Sequence, residues 1–174
     1  MKQQNNTAVS ARTAQPYSLT MVQAAMIAAL YVVLTFIANA FGLANYAVQV
    51  RFSEALTILP YFTPAAIPGL FIGCLLSNIL TGCALPDILF GSIATLIGAV
   101  FTYRFRAYKW LAPIPPIVAN AVIVPFVLLY AYGVKPLWFS FVTVTAGEII
   151  SCGVLGMLLL FALEKYRGEI FKNS

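Results

Sequence analysis

Residues 50–59 read VRFSEALTIL, and they place Arg51 and Glu54 three residues apart where an apolar segment begins. Burying a charge at such a position costs free energy unless the charge is paired. Charges that are nevertheless found there usually have a function. One interpretation is an ion pair along one helical face, which lowers the cost of burying both groups. The other interpretation is that the pair shapes the rim of a pocket for a polar ligand.

The composition of the chain shows why these charges matter. Hydrophobic residues make up 61% of the 174 residues, charged residues make up 9%, and the mean hydropathy is +0.92. Soluble domains are far less apolar than this. The sequence therefore predicts an all-α, polytopic membrane protein that forms one bundle and has no soluble domain.

Six apolar segments can be distinguished, and each is expected to be a transmembrane helix. They comprise residues 18–41, 51–62, 64–82, 85–104, 113–133 and 136–163. The second covers only about 18 Å as an α-helix, so it must be tilted, shielded by its neighbours or extended by the preceding loop. We expect residues 1–17 to form a flexible cytoplasmic tail, 18–164 the membrane domain and 165–174 a basic cytoplasmic tail.

Basic residues predict the orientation of the spans. With six spans both termini share a side, and eight Lys and Arg residues fall on that side, against Arg51 and Lys135 on the other. Lys and Arg near span ends favour the cytoplasm, so both termini are predicted to be cytoplasmic. This topology explains the net charge of +5 without a nucleic-acid partner.

Three of the five acidic residues, Glu54, Asp87 and Glu148, fall within or at the edge of apolar segments. Carboxylates in such places are usually functional, so these residues are candidate ligand-binding groups. Structural alternatives remain for two of them. Asp87 opens the fourth segment, where it can cap a helix N-terminus, and Glu148 can be a structural glutamate bonded to Asn120.

Residues that several enzyme classes require are missing from the sequence. It has no histidine and no GxxxxGK[ST] motif, which excludes HExxH metalloproteases, the Ser-His-Asp triad and a phosphate-binding P-loop. Cys74, Cys83 and Cys152 are scattered in apolar surroundings, so neither a disulfide framework nor a metal site is predicted, and no cofactor is expected. A non-catalytic protein that binds a molecule and passes it on is favoured over an enzyme.

Small residues at four-residue spacing mark two helix faces. They are Ala24, Ala25, Ala28 and Ala29 in the first segment and Gly69 and Gly73 in the third. Such spacing permits close contact between helices in membranes. We expect the glycines to serve internal packing, and docking to another membrane protein is an alternative role for the alanines.

Four stretches carry a resemblance to a known family. They are VQVRFSEALTILPYFTPAAIPGLFIGCLLSNIL (48–80), LPDILFGSIATLIGA (85–99), KWLAPIPPIVANA (109–121) and GEIISCGVLG (147–156). Together they resemble the QueT family of queuosine-precursor transporters, which are S components, the substrate-binding subunits of energy-coupling factor (ECF) transporters. Tyr61 stands where a phenylalanine is expected, which is a mild departure.

The resemblance implies an S component that captures a 7-deazaguanine, or queuine, from outside a prokaryotic cell. It implies delivery by toppling, with the chain docked on a transmembrane T component that has two ATPase subunits. S components of this type dock through the small-residue face of the first helix, which corresponds here to Ala24, Ala25, Ala28 and Ala29. Because the partners hydrolyse ATP, such a subunit needs no nucleotide motif.

The implied substrate suggests roles for the polar residues. One carboxylate can accept the N1–H and the exocyclic amine of a guanine-like edge; we assign Glu148 to this edge and Asp87 to the cation of an aminomethyl substituent. The other candidate binding residues are Glu54, Arg51, Asn78, Asn120, Asn45, Trp138 and Phe90, with Tyr46 and Tyr130 as further rings for stacking. Glycine-rich turns near Gly42 and Gly133 would let two loops close as a lid.

Two other functions fit parts of the pattern. A proton- or cation-coupled carrier would use Glu148 as its titrating group and would need no ATPase partner. The sequence shows no convincing internal repeat of the kind that inverted-repeat carriers have. A scaffold subunit, whose acids would be structural, would bind no ligand.

Overall fold

A computed structural model of the chain describes residues 17–42 and 50–170. Regular structure in these residues is helical: α1 (Tyr17–Ala40), a 3₁₀ helix (Phe52–Tyr61), α2 (Ala66–Leu80), α3 (Leu85–Arg104), a 3₁₀ turn (Lys109–Leu111), α4 (Ile114–Tyr132), α5 (Leu137–Glu148), a π segment (Ile149–Leu155), α6 (Gly156–Glu164) and α7 (Arg167–Ile170). The predicted all-α class is confirmed for them. Asn45, Tyr46 and the tail residues 1–16 and 171–174 lie outside the described residues.

Four helical stretches in the described residues are long and apolar enough to cross a membrane: Ser18–Ala40, Leu85–Arg104, Lys109–Tyr132 and Leu137–Glu164. The last stretch joins α5, the π segment and α6. Helix α2 has 15 residues and the 3₁₀ helix has 10, which correspond to about 22 Å and about 20 Å. Both are shorter than the hydrocarbon core of about 30 Å. The chain is a multi-pass membrane protein with four candidate spans among the described residues.

The 3₁₀ helix lies at the centre of the bundle, where the sequence led us to expect a short α-helix. Every residue from Ser53 to Tyr61 is buried, and the helix packs against α1, α2, α3, the π segment and α6. Of the three ways in which a short second segment could be accommodated, shielding by its neighbours is the one that the structure shows. A 3₁₀ run of this length is uncommon and often marks a functional region.

The π segment faces the 3₁₀ helix where the two approach closely. A Cβ atom added at Gly156, the first residue of α6 directly after the π segment, would lie 3.0 Å from Cγ2 of Ile58, so glycine permits a close approach there. The widened helical turn also directs Cys152 at the 3₁₀ helix, where its sulfur lies 3.4 Å from the carbonyl oxygen of Glu54. The two unusual helices therefore hold each other.

Helix α1 packs on α2 through small residues. A Cβ atom at Gly69 would lie 2.7 Å from the carbonyl oxygen of Ala24, and one at Gly73 would lie 2.7 Å from Cβ of Tyr31 and 3.1 Å from Cα of Ala28. Such distances are possible only without a side chain. The GxxxG pair serves internal packing, as the spacing predicts.

The four alanines of α1 consequently form two separate stripes. Ala28 is buried and Ala24 is partly buried against α2, whereas Ala25 and Ala29 are exposed. Adjacent residues of a helix point about 100° apart, which is why a shift of one residue moves a side chain from one stripe to the other. The exposed stripe, Ala25 with Ala29, is the part that a partner could reach.

The basic side chains lie at the two ends of the bundle, and one end has more of them than the other. Arg104, Arg106 and Lys109 lie between α3 and α4, at the end where α6 finishes, and Lys109 Nζ is 3.2 Å from Glu164 Oε2. Lys135 follows α4 at the opposite end. The described residues thus show the unequal charge distribution on which the predicted orientation depends.

Gly73→Ala is expected to destabilise the bundle. The new methyl group would meet Cβ of Tyr31 and the backbone of Ala28, and overpacking of this kind costs about 1–3 kcal/mol. Thermal unfolding in detergent should therefore shift to a temperature lower by about 2–8 °C. Gly168→Ala is the control, because nothing lies within 4 Å of a Cβ atom there. Equal unfolding temperatures for both variants would contradict the close contact of α1 and α2.

Candidate functional site

A cavity of about 490 Å³ lies at the end of the bundle where α1, α2 and α4 finish and α3 begins. This volume is within the usual range for small-molecule sites. The polar residues that line it are Thr35, Asn39, Arg51, Asn78, Thr81, Asp87 and Tyr132. The structure therefore brings three of the predicted binding residues, Arg51, Asn78 and Asp87, to one cavity.

Asp87 lies in the first turn of α3 at the cavity wall. The Tyr132 hydroxyl donates to Oδ2 of Asp87 at 3.2 Å and accepts from the backbone N–H of Ala84 at 3.0 Å. The amide of Asn78 donates to the backbone carbonyl of Asp87 at 3.5 Å. Helix α3 has no side-chain capping bond, so Asp87 does not take the helix-capping role that was the alternative.

Gly91, one turn further along α3, leaves room for these polar groups. A Cβ atom there would lie 3.3 Å from Oδ1 of Asp87 and 3.4 Å from Nδ2 of Asn78. The missing side chain thus allows the two groups to sit close together at the cavity. The sequence did not single out Gly91, because a lone glycine in an apolar helix has many common explanations.

Arg51 supplies positive charge to the cavity. Its backbone is extended (φ −105°, ψ 107°) just before the 3₁₀ helix, and its N–H donates to Oγ of Ser151 at 3.1 Å. Within the described residues Arg51 forms no direct ion pair with Glu54 or with Asp87. The ion pair considered for Arg51 and Glu54 is therefore not formed, and the structure instead places Arg51 at a pocket.

Arg51 and Asp87 attract each other across the cavity. They lack a direct contact, so the guanidinium donors and a carboxylate oxygen remain available to a third group. Charge-assisted hydrogen bonds are about twice as strong as neutral ones. The arrangement can therefore bind a small, planar polar molecule that offers both donors and acceptors.

A second polar cluster lies within the bundle and comprises Glu54, Asn120, Glu148 and Cys152, all of which are buried. The Tyr31 hydroxyl donates to Oε1 of Glu54, and Nδ2 of Asn120 donates to Oε2 of Glu54 at 3.5 Å. The Cys152 thiol has one hydrogen, and both Oε2 of Glu148 at 3.2 Å and the carbonyl oxygen of Glu54 at 3.4 Å are within its reach. These bonds supply partners that an apolar interior does not provide. We refer to these four residues as the inner cluster.

The predicted binding residues therefore divide into two groups. Glu54, Glu148 and Asn120 belong to the inner cluster and do not line the cavity. Asn120 donates to Glu54, and the hydrogen-bond partner of Glu148 among the described residues is Cys152. The position of Glu148 differs from the pocket-facing position that its assignment to the base edge requires.

Three residues of the inner cluster are close enough together to hold a metal ion. One carboxylate oxygen of Glu54, one of Glu148 and the Cys152 sulfur all lie within 4.8 Å of one another. This group could not be predicted from the sequence, because Cys152 is nearly a hundred residues from Glu54 and only the fold brings them together. Each of the three groups already has a hydrogen-bond partner in the protein.

The aromatic residues predicted for stacking lie away from the cavity. Phe90 and Trp138 are 52% and 66% exposed on the outer surface of the bundle, and Tyr130 is 82% exposed. The rings that do line the cavity belong to Phe36 and Tyr132. Phe36 lies in a largely apolar run beside Thr35 and Asn39, and these two polar residues were the signal in the sequence that could have placed it at the cavity.

Glycines end two of the helices beside the cavity. Gly42 (φ +71°) follows α1 and Gly133 (φ +66°) follows α4, both in the left-handed conformation that commonly ends helices. Residues 43–49 of the first loop lie outside the described residues. The lid is therefore still a hypothesis.

Known proteins are similar to this chain over much of its length. The sequence profile described as "QueT transporter" matches residues 21–165. The "Queuosine precursor transporter QueT" of Lactococcus lactis subsp. cremoris (strain MG1363) is 33% identical over 95 residues, which cover 52% of this chain and 56% of that relative. The chain thus matches little more than half the length of that relative, and no solved structure matches it.

The matched range includes every residue that lines the cavity and every residue of the inner cluster. It also includes α1 from its second turn and all of α2 to α6. Because the profile covers most of the chain, the chain belongs to the QueT transporter family.

Proposed function

We propose that the chain is the S component of an ECF-type importer and that its cavity captures a queuosine precursor, either a 7-deazaguanine or queuine. One observation carries the proposal: a cavity of about 490 Å³ holds Arg51 and Asp87 without a direct ion pair between them. Family membership and the name of the L. lactis relative support the choice of substrate. A T component and two ATPase subunits supply the energy.

In this proposal the bundle crosses the membrane six times, with the 3₁₀ helix and α2 as short, shielded crossings. Both termini are cytoplasmic. Arg104, Arg106 and Lys109 then lie at the cytoplasmic end, and the cavity with Arg51 opens to the outside of a prokaryotic cell. The unequal distribution of basic residues between the two ends supports this orientation.

Asp87 is the carboxylate that lines the cavity, so we assign it the donor edge of the base. It would accept the N1–H and the exocyclic amine together, while Arg51 would donate to the ring carbonyl. Tyr132 and Phe36 border the same space and offer their ring faces. A buried site of this kind rejects analogues that leave its polar groups unpaired.

The inner cluster has a supporting role in this proposal. Glu54 ties the 3₁₀ helix to α1 and α4 through Tyr31 and Asn120. Arg51 directly precedes that helix, so these bonds hold the arginine at the cavity wall. Glu148 acts at a distance from the ligand by holding Cys152 against the same helix.

Asp87→Asn is expected to weaken binding of aminomethyl-7-deazaguanine at least about tenfold, because a charged acceptor is lost. Calorimetric titration of the detergent-solubilised chain measures this. Glu148→Gln is the matched comparison, and we expect a change of less than about threefold, because Glu148 does not line the cavity. An equal loss in both variants would contradict the assignment of the base edge to Asp87.

Titration with several ligands tests whether Asp87 binds the donor edge of the base. If Asp87 binds the base edge, queuine and the nitrile base should bind in the same range as the aminomethyl base. If Asp87 binds the aminomethyl cation instead, the neutral nitrile base should bind far more weakly, whereas queuine, which keeps a protonated secondary amine, should not. Absence of binding to all of them would contradict the proposed substrate class.

Gly91→Ala is expected to weaken binding about three- to tenfold without loss of stability. The new methyl group would press on Oδ1 of Asp87 and Nδ2 of Asn78, whereas alanine has a higher helix propensity than glycine. Calorimetry and thermal unfolding together separate these effects. Gly153→Ala is the control, because its nearest neighbours are 3.7 Å away. Unchanged affinity in Gly91→Ala would show that these two groups do not contact the ligand.

Replacing the exposed alanines, Ala25→Leu with Ala29→Leu, is expected to prevent copurification of the T component and ATPase subunits. Ligand binding should persist, because both residues are exposed on α1 and neither lines the cavity. Ala162→Leu on the exposed surface of α6 is the control. Uptake that continues without ATPase subunits but stops when the ion gradient is collapsed would instead support the ion-coupled carrier.

A further inference from the structure

An apolar groove of about 380 Å³ lies on the outside of the bundle between α3 and α4. One wall carries Ile97, Phe101 and Phe105, and the other carries Ile114 and Val118, with exposed fractions between 38% and 54%. The rings of Phe101 and Phe105 stack at 6.1 Å, which makes a continuous surface along α3. The groove is at the opposite end of these helices from the cavity.

The groove is nearly as long as the acyl-chain region of one membrane leaflet is thick. From Ile97 to Phe105 helix α3 advances about 12 Å, and one leaflet of the hydrocarbon core is about 15 Å thick. Close packing of the two helices beside it fixes its shape, because a Cβ atom at Gly98 would lie 2.7 Å from Cα of Pro116. The groove is therefore a preformed feature of the α3–α4 contact.

The loop at the end of this groove is basic. Residues 104–109 read RFRAYK and contain no acidic residue. Lys109 is paired with Glu164 at 3.2 Å. Arg104 and Arg106 are exposed, and in the part of the chain that the structure describes neither has a carboxylate partner.

We propose that this groove binds an anionic phospholipid, with one acyl chain along Phe101 and Phe105 and the phosphate at Arg104 and Arg106. Guanidinium groups suit phosphate because their donors match its oxygens in pairs. An uncharged lipid could fill the groove but would leave both guanidinium groups without an anion, although Arg106 also lies over the ring of Tyr103 at 4.5 Å. The site does not depend on the substrate bound in the cavity.

Native mass spectrometry of the detergent-purified chain tests this with equal amounts of phosphatidylglycerol and phosphatidylcholine that carry identical acyl chains. Phosphatidylglycerol should be retained preferentially, and Arg104→Gln and Arg106→Gln should each lower its retention about fivefold. Lys135→Gln removes the same charge at the other end of the bundle and should have no effect. Equal retention of the two lipids, or an equal loss in Lys135→Gln, would overturn the proposal.

The groove itself is tested by filling it. Val118→Trp should lower phosphatidylglycerol retention because the indole would occupy the space of the acyl chain. Val142→Trp on α5 is the matched control, since Val142 is similarly exposed, at 60% against 54% for Val118, and lies outside the groove. Full retention in Val118→Trp would show that the lipid binds elsewhere.

Discussion

A carboxylate inside an apolar bundle has to find its hydrogen-bond donors within the protein, and Glu54 imposes this requirement on several helices at once. Tyr31 of α1 and Asn120 of α4 bind its side chain, while Cys152 of the π segment binds its backbone carbonyl. A buried polar group that loses its hydrogen-bond partner costs about 1–3 kcal/mol. The position of the central 3₁₀ helix, and with it the position of Arg51, depends on these bonds.

The two polar regions of the bundle differ in how completely their groups are paired. In the inner cluster each carboxylate already has a partner, so the cluster is suited to hold helices in place. At the cavity Arg51 and Asp87 face the same space without direct contact. A molecule with donors and acceptors can therefore improve the pairing at the cavity, whereas it would have to break existing bonds in the inner cluster.

Hydropathy predicted the helices well, and the range of α3, Leu85–Arg104, coincides with the predicted segment. The 3₁₀ and π hydrogen-bonding patterns were not predictable, because they depend on tertiary contacts such as that between Gly156 and Ile58. Residue type was enough to select Arg51 and Asp87 as site candidates. It was not enough to place Trp138, because α5 mixes apolar and polar residues on its buried side and so gives no clear periodic signal.

The one-residue offset between the two alanine stripes of α1 has an evolutionary consequence. Ala24 and Ala28 are constrained by the backbone of α2, so substitutions there would be removed by selection for folding alone. Ala25 and Ala29 are exposed and free of that constraint, so under the proposed docking only the partner would limit them. A family built on this arrangement can change its partner while its bundle is conserved, and sequence variation in the exposed stripe would record which partners its members share.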